Sequence, residues 1–273
     1  MIQYCRLIPV FVLAVFLAAG CTSSKSTDKT ILRVMTYNIH HGEGVDGKVD
    51  IDRIAKVIRD ANADVVALQE VDRGVERTKK IDIMMLLADK TGMAYAFGKN
   101  IDYQGGDYGN GILTKFPILE ERNLHYVMIR PGEQRGLLQL VLDVRGQEIV
   151  VMNTHIDYRQ DDVERVLNVA EIRDSVKRYQ PRPVIICGDF NDIPTSRTAV
   201  GMKEDFIDSW ELAGSGNGFS YSTSEPVKRI DYIFVSKPAS GMPFLLRPVS
   251  AMVVHSDASD HLPVVVEFRL TGN

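Results

Sequence analysis

Val184-Ile185-Ile186-Cys187-Gly188-Asp189-Phe190-Asn191 sets four apolar residues against a glycine, an acid, an aromatic ring and an amide. A short β-branched run without polar alternation is the pattern of a strand buried on both faces. The Gly188-Asp189 step closes that strand and leaves a carboxylate at its C-terminal end, where side chains from separate strands converge on ligands. The same arrangement recurs along the chain. Val34-Met35-Thr36-Tyr37 runs into Asn38, Val65-Val66-Ala67-Leu68 into Gln69-Glu70, and Val150-Val151-Met152 into Asn153-Thr154-His155. Singly, each polar residue has a turn-chemistry reading: Asn38 as a cap, Glu70 as a partner for Arg73, Asp189 bonded within its own loop. Four such strand ends, with Ser259-Asp260-His261 near the C-terminus, exceed what turn chemistry explains.

Around these strands the periodicity predicts helices. Asp50 caps a helix over Ile51–Ala61, with Ile51, Ile54, Ile58 and Ala61 on one face. Asp82–Thr91 reads as a second, closed by Gly92. Asp161–Tyr179 is the longest, with an expected apolar stripe of Val163, Val166, Leu167, Ala170 and Val176. Further strand-like runs lie at Ala94–Gly98, Gly111–Thr114, Ile118–Val127, Leu137–Val144, Glu148–Asn153, Ile230–Val235 and Val264–Arg269, with Tyr108-Gly109-Asn110-Gly111 leading into one of them. Strands outnumber helices yet helices recur between them, so the class is mixed α/β with a sheet buried on both faces.

The 273 residues are 45% hydrophobic and 25% charged, which excludes disorder, collagen-like repeats and coiled coil. A net charge of -4 excludes a global basic field for wrapping nucleic acid. Met1–Gly20 carries Arg6 and an apolar run, then small residues directly before Cys21, the pattern of a secretory signal. The cysteine after that site resembles a bacterial lipobox, so Cys21 is the expected lipidated N-terminus, followed through residue 30 by a polar tether. Residues 31–271 are then expected to form one catalytic domain, monomeric, exported and lipid-anchored to the cell envelope. Cys187 and Trp210 are expected in the core, and His125 and His255 to be structural.

In chain order, Thr36-Tyr37-Asn38, Leu68-Gln69-Glu70, Asn153-Thr154-His155, Gly188-Asp189-Phe190-Asn191, Arg229-Ile230-Asp231-Tyr232 and Ser259-Asp260-His261 resemble the motifs of the endonuclease/exonuclease/phosphatase superfamily. The resemblance spans Leu32–Phe268. It implies a four-layer α/β/β/α sandwich of two mixed sheets, with the site at one end of the sheets. It also implies Asp189 orienting or deprotonating the attacking water beside Asn191, His261 on the scissile phosphate held by Asp231, and His155 donating to a phosphate oxygen. Glu70 with Asn38, completed by Asp260, would hold Mg²⁺ or Mn²⁺, which suits oxygen ligands plus waters. A zinc site is not expected, because no His pair has i,i+4 spacing and no Cys pair exists. Asn110 and Arg135 are candidate substrate contacts, Arg135 as a bidentate phosphate clamp. His40 and His41 are candidates for the mouth of the site, while Arg73, Arg77 and Asp82 suit surface ion pairing as well as substrate binding.

Family likeness implies attack of water on phosphorus but does not select a leaving group. After removal of Met1–Gly20 the net charge is -5, which disfavours a non-specific nuclease dependent on many phosphate contacts. A lipid head group or small phosphoester is therefore the favoured substrate. An envelope nuclease is the alternative, and a non-catalytic surface-binding lipoprotein is the reading from another class.

Overall fold

Alternate residues of the central strands feed two different apolar cores, which is why those strands read as unbroken hydrophobic runs. A computed structural model describes residues 1–2, 30–238 and 245–271. Cys21, most of the expected signal segment and nearly all of the tether lie outside the described residues. The described chain runs β1 (Ile31–Asn38), α1 (Ile51–Asp60), β2 (Val65–Arg73), α2 (Ile83–Thr91), β3 (Ala94–Tyr103), β4 (Gly106–Thr114), β5 (Ile118–His125), β6 (Gly136–Val144) and β7 (Gln147–His155). It continues through α3 (Val163–Lys177), β8 (Val184–Asp189), α4 (Arg197–Asp205), β9 (Phe206–Asp208), α5 (Ser209–Ala213), β10 (Asp231–Ser236), β11 (Leu246–Val253) and β12 (Val264–Leu270).

Two six-stranded sheets result, ordered β11-β12-β1-β2-β4-β3 and β5-β6-β7-β8-β10-β9. The β1/β2 and β7/β8 pairs are parallel, while their outer neighbours pair antiparallel. Leu32, Val34, Ala67, Ile112, Leu140, Val151, Ile185 and Cys187 fill the space between the sheets. Met35, Val66 and Leu113 face the other way, against Ile54 and Ile58 of α1 and Leu87 of α2. Val150, Met152 and Ile186 pack on Val169 and Ile172 of α3 and Met202 of α4. The layers are thus those the family likeness implied. Asp50 and Asp82 cap α1 and α2 through Arg53 and Met85 amides, and Gly92 ends α2 in the left-handed region. Cys187 is fully buried, which pushes its thiol pKa up and leaves it inert.

Three expectations need correction. The buried face of α3 is Glu164, Arg165, Asn168, Val169, Ile172 and Val176, whereas Val163 and Leu167 are exposed. The first turns of α3 overlie loops that need a cation: Arg165 donates to the Asp157 and Arg159 carbonyls and to Asp192. Tyr108-Gly109-Asn110-Gly111 lies inside β4, because Gly109 lets the Gly98 carbonyl pass where a Cβ would stand 2.0 Å away. Trp210 is only half-buried, its indole N–H donating to the Gly216 carbonyl beside α5. Sequence reading also missed α4, α5, β9 and β11, short or polar elements with weak periodicity.

At Gly188 the backbone of β8 runs so close to β7 that a Cβ would sit 2.2 Å from the Thr154 carbonyl oxygen. Gly188→Ala must therefore spread the two strands just before Asp189. A loss of about 1–3 kcal/mol in urea unfolding is the expected outcome.

Candidate active site

The polar residues gather because strand register brings them together. In the second sheet His155, Asp189 and Asp231 are direct neighbours across three strands: His155 pairs with Asp189, and Asp189 with Asp231. Residues opposite each other share a face, so all three project from the same side of the sheet edge. In the first sheet Asn38 ends β1. Glu70 falls inside β2 rather than after it, where the register with β4 slips between Leu68 and Val71. That bulge, with Glu70 at φ 59°, re-aims its carboxylate toward the seam between the sheets.

Asn38 joins the two halves. Its Nδ2 donates to Glu70 Oε1 at 3.0 Å and to Asp189 Oδ2 at 3.1 Å, while its Oδ1 accepts from the His40 amide. Below it, Asn153 Nδ2 donates to the carbonyls of Leu68 and Gly111, and Gln69 Nε2 donates to Asn153 Oδ1 at 2.7 Å. The motif residues Gln69 and Asn153 thus tie one sheet to the other. Arg229 pairs with buried Asp208 at 2.7 Å, and so braces the α5 end.

His261 sits between two acids. Its Nδ1 donates to Asp231 Oδ2 at 2.9 Å, and its Nε2 lies 3.6 Å from Asp189 Oδ2. Ser220 Oγ donates to the same Asp231 oxygen at 2.6 Å, and the Tyr221 ring lies against His261 with centroids 4.8 Å apart. Burial opposes a charge on His261, but Asp231 and Asp189 outweigh it and raise its pKa to about 10, so the ring is imidazolium at neutral pH. Burial, reinforced by Asp231, pushes Asp189 up to about 7. Burial, with Arg135 and His261 nearby, holds His155 well below its ordinary value. His155 is therefore neutral, and its Nε2 accepts from Asn191 Nδ2 at 2.9 Å, whose amide also donates to the Ile156 carbonyl.

A cleft of about 670 Å³ opens over these groups, lined by Glu70, Arg135, His155, Asp189, Asn191, Asp260 and His261 among others. Arg135 is buried, pairs with Glu133 at 2.8 Å and lies over the Tyr158 ring, which leaves its Nε with no partner in the protein. Asn110 does not line the cleft; it is buried in β4 and donates to the Gly136 carbonyl. Asp260 lies 3.8 Å from His40 Nδ1. His41 is buried on the same turn, and burial and Arg77 lower its pKa. Glu70 and Asp260 are half-exposed and both line the cleft, and Asn38 is bonded to Glu70; carboxylate and amide oxygens are the ligand type that suits a hard divalent cation. Outside the site, Arg73 pairs with Asp107, Arg77 forks onto buried Asp72, and Asp82 is spent on its cap. Exposed His125 bonds the Lys99 carbonyl, and His255 is exposed.

Sequence reading missed Tyr108, Tyr158, Arg159, Tyr221 and Lys228 on the cleft wall. They stand on loops or within β4, without a strand-end signal. Only the Gly-flanked Tyr108 carried any hint.

The endonuclease/exonuclease/phosphatase family profile matches residues 35–261. Uncharacterized protein YbhP of Escherichia coli is 27% identical over 260 residues, covering 89% of this chain and 98% of that one. A 5′-tyrosyl-DNA phosphodiesterase of Caenorhabditis elegans is 26% identical over 195 residues, 67% of this chain and 49% of that one. Among solved structures, the mannosyl-6-phosphatase of Bacteroides thetaiotaomicron superposes with a TM-score of 0.71 at 20% identity, over 87% of this chain and 99% of that one.

His261 carries a raised pKa, so its contribution to stability is complete below the ordinary 6.5 and is lost as pH rises through about 10. Asp231→Asn removes the largest attraction holding that proton. The ring protons of His261, followed by NMR, are expected to titrate at a lower pH in the variant than in the wild type. An unchanged midpoint would show that Asp231 does not set the charge of His261.

Proposed function

The chain belongs to the endonuclease/exonuclease/phosphatase family, and from that premise we propose that it is a divalent-metal-dependent phosphoesterase acting outside the cytoplasm on small phosphoesters or lipid head groups. Its fold is that of the family's phosphoesterase hydrolases, which generally use a divalent metal. The observation that carries the reading is the buried carboxylate of Asp189, raised to about 7 beside a charged His261. A base poised near neutrality is what activation of water requires. Glu70, Asn38 and Asp260 would hold Mg²⁺ or Mn²⁺, which when bound neutralises phosphoryl charge and stabilises the departing oxygen.

The remaining work falls to the chain's own groups. Asp189 takes the proton of the attacking water, and Asn191, fixed between His155 and the Ile156 carbonyl, positions that water. His261, held by Asp231, presents its Nε2 proton to a phosphoryl oxygen. Arg135 adds a second cation at the cleft wall. Both stabilise the charge that develops in the transition state.

The charge arrangement favours a small substrate over a polymer. Arg159 is paired with Asp157 and Glu164, Arg165 with Asp192, and Arg135 with Glu133, so the cleft offers few free cations to follow a nucleic-acid backbone. Similarity to a mannosyl-6-phosphatase points the same way. An envelope nuclease is the second reading, supported by the likeness to a tyrosyl-DNA phosphodiesterase. A non-catalytic binder is disfavoured, since a buried acid–imidazolium–acid row is costly to keep without a reaction that uses it. Export, lipid attachment at Cys21 and a monomeric state complete the proposal, supported by the signal pattern and by a site assembled within one chain.

Hydrolysis of bis(p-nitrophenyl) phosphate and of sugar phosphates, with Mg²⁺ or Mn²⁺ against EDTA, tests this. Hydrolysis is expected only with metal, and Asp189→Asn or His261→Ala should each lower kcat by roughly 10²–10⁴-fold. Turnover of either variant near the wild-type rate sinks the assigned roles. Supercoiled plasmid is the comparison substrate: metal-dependent nicking that outpaces small-ester hydrolysis and falls steeply with salt would select the nuclease instead.

A further inference from the structure

A tight turn directly after Asn38 carries two consecutive histidines, His40 and His41, beside Glu70. One donor atom from each of the three lies within 4.8 Å of the others. All three are non-glycine residues with left-handed backbones, at φ 43°, 46° and 59°. The two imidazoles meet edge to face, with centroids 4.5 Å apart. His41 is 6% exposed, and its Nδ1 is buried with no hydrogen-bond partner in the protein. Its Nε2 lies 3.6 Å from Glu43, beyond hydrogen-bonding distance. An imidazole this buried normally has a partner for its ring nitrogens, so the bare Nδ1 calls for a ligand from outside the chain.

We propose that His40 and His41 supply nitrogen ligands to the cation position at Glu70, so that this protein takes a first-row transition ion in preference to Mg²⁺. The inference rests on the reading that Glu70 holds the metal. Mg²⁺ holds to oxygen ligands and retains its waters, whereas the first-row transition ions bind N-donor sites more tightly, Mn²⁺ the most weakly of that series. Two imidazoles beside the carboxylates of Glu70 and Asp260 make a mixed nitrogen and oxygen set. Such a set binds a transition ion through bonds that Mg²⁺ does not favour. The turn is braced for this: the His40 amide is tied to Asn38 Oδ1, and Gly42 and Glu43 amides close on the Ile39 and His40 carbonyls.

The test uses the metal-stripped full-length chain in detergent, with Mn²⁺ and Mg²⁺ alone as probes. Calorimetric titration is expected to give Mn²⁺ affinity about tenfold or more above that for Mg²⁺. Pulsed electron paramagnetic resonance of bound Mn²⁺ should show modulation from directly ligated imidazole nitrogen. His40→Gln, on the half-exposed member, and His41→Gln should each weaken Mn²⁺ by about tenfold and reduce that modulation, with Mg²⁺ affinity little changed. Thermal melts show whether the buried His41→Gln variant is folded, and His40→Gln carries the test if it is not. Bound Mn²⁺ without nitrogen modulation, or Mn²⁺ affinity unaltered in His40→Gln, overturns the proposal. Glu70→Gln separates the two readings: it should weaken both ions, and if it weakens neither then the metal position itself is wrong. Hydrolysis supported by Mg²⁺ with no nitrogen ligation of Mn²⁺ would leave the phosphoesterase standing and remove only the histidine ligands.

Discussion

A carboxylate cut off from water must be answered by its neighbours, and Asp189, 1% exposed, sets that demand at the centre of this protein. Its response is distributed across both sheets. Asn38 reaches it from β1, the Asn191 amide from its own loop, and His261 stands at 3.6 Å with Asp231 behind it. None of these groups satisfies the acid fully, and the residue of unmet charge is what raises its affinity for a proton. The chemistry proposed for the site is the use of that deficit.

The constraint explains why the end of the sandwich is polar while its middle is not. Between the sheets the side chains are apolar, and at the site end they become Thr36, Gln69, Asn153 and Asn110. These buried amides and hydroxyls bond to each other and to backbone carbonyls of the opposite sheet. A buried polar network of this kind rewards one register of sheet against sheet, since a slip would leave several groups unpaired at once.

How much of this was legible in the sequence depended on the kind of signal. Strands buried on both faces announce themselves as apolar runs, so β1, β2, β7 and β8 and the polar residues at their ends were readable. The layers and the role of each site residue came from the family motifs, since periodicity does not say which strands pair. The buried face of α3 was misread because Arg165 and Asn168 point inward while Val163 and Leu167 face solvent. There the local need for a cation under Asp157 and Asp192 overrode hydrophobic order. The position of Glu70 inside a bulge was invisible too, because a register slip is a property of two strands and not of one. The paired histidines carried no helical spacing, and a turn in the left-handed region brings together what that rule discards.

Asn38, the Gln69–Asn153 bond and the Asn110 amide all cross from one sheet to the other, so the cleft straddles a joint between two halves of the molecule. Whatever occupies it touches both halves at once and acts as a rivet. By mass action, an occupant that requires the joint closed suppresses the fluctuations in which the sheets part. Occupancy at the rim is then expected to slow solvent exchange at amides of both sheets, those in the interior of β6 and β12 among them.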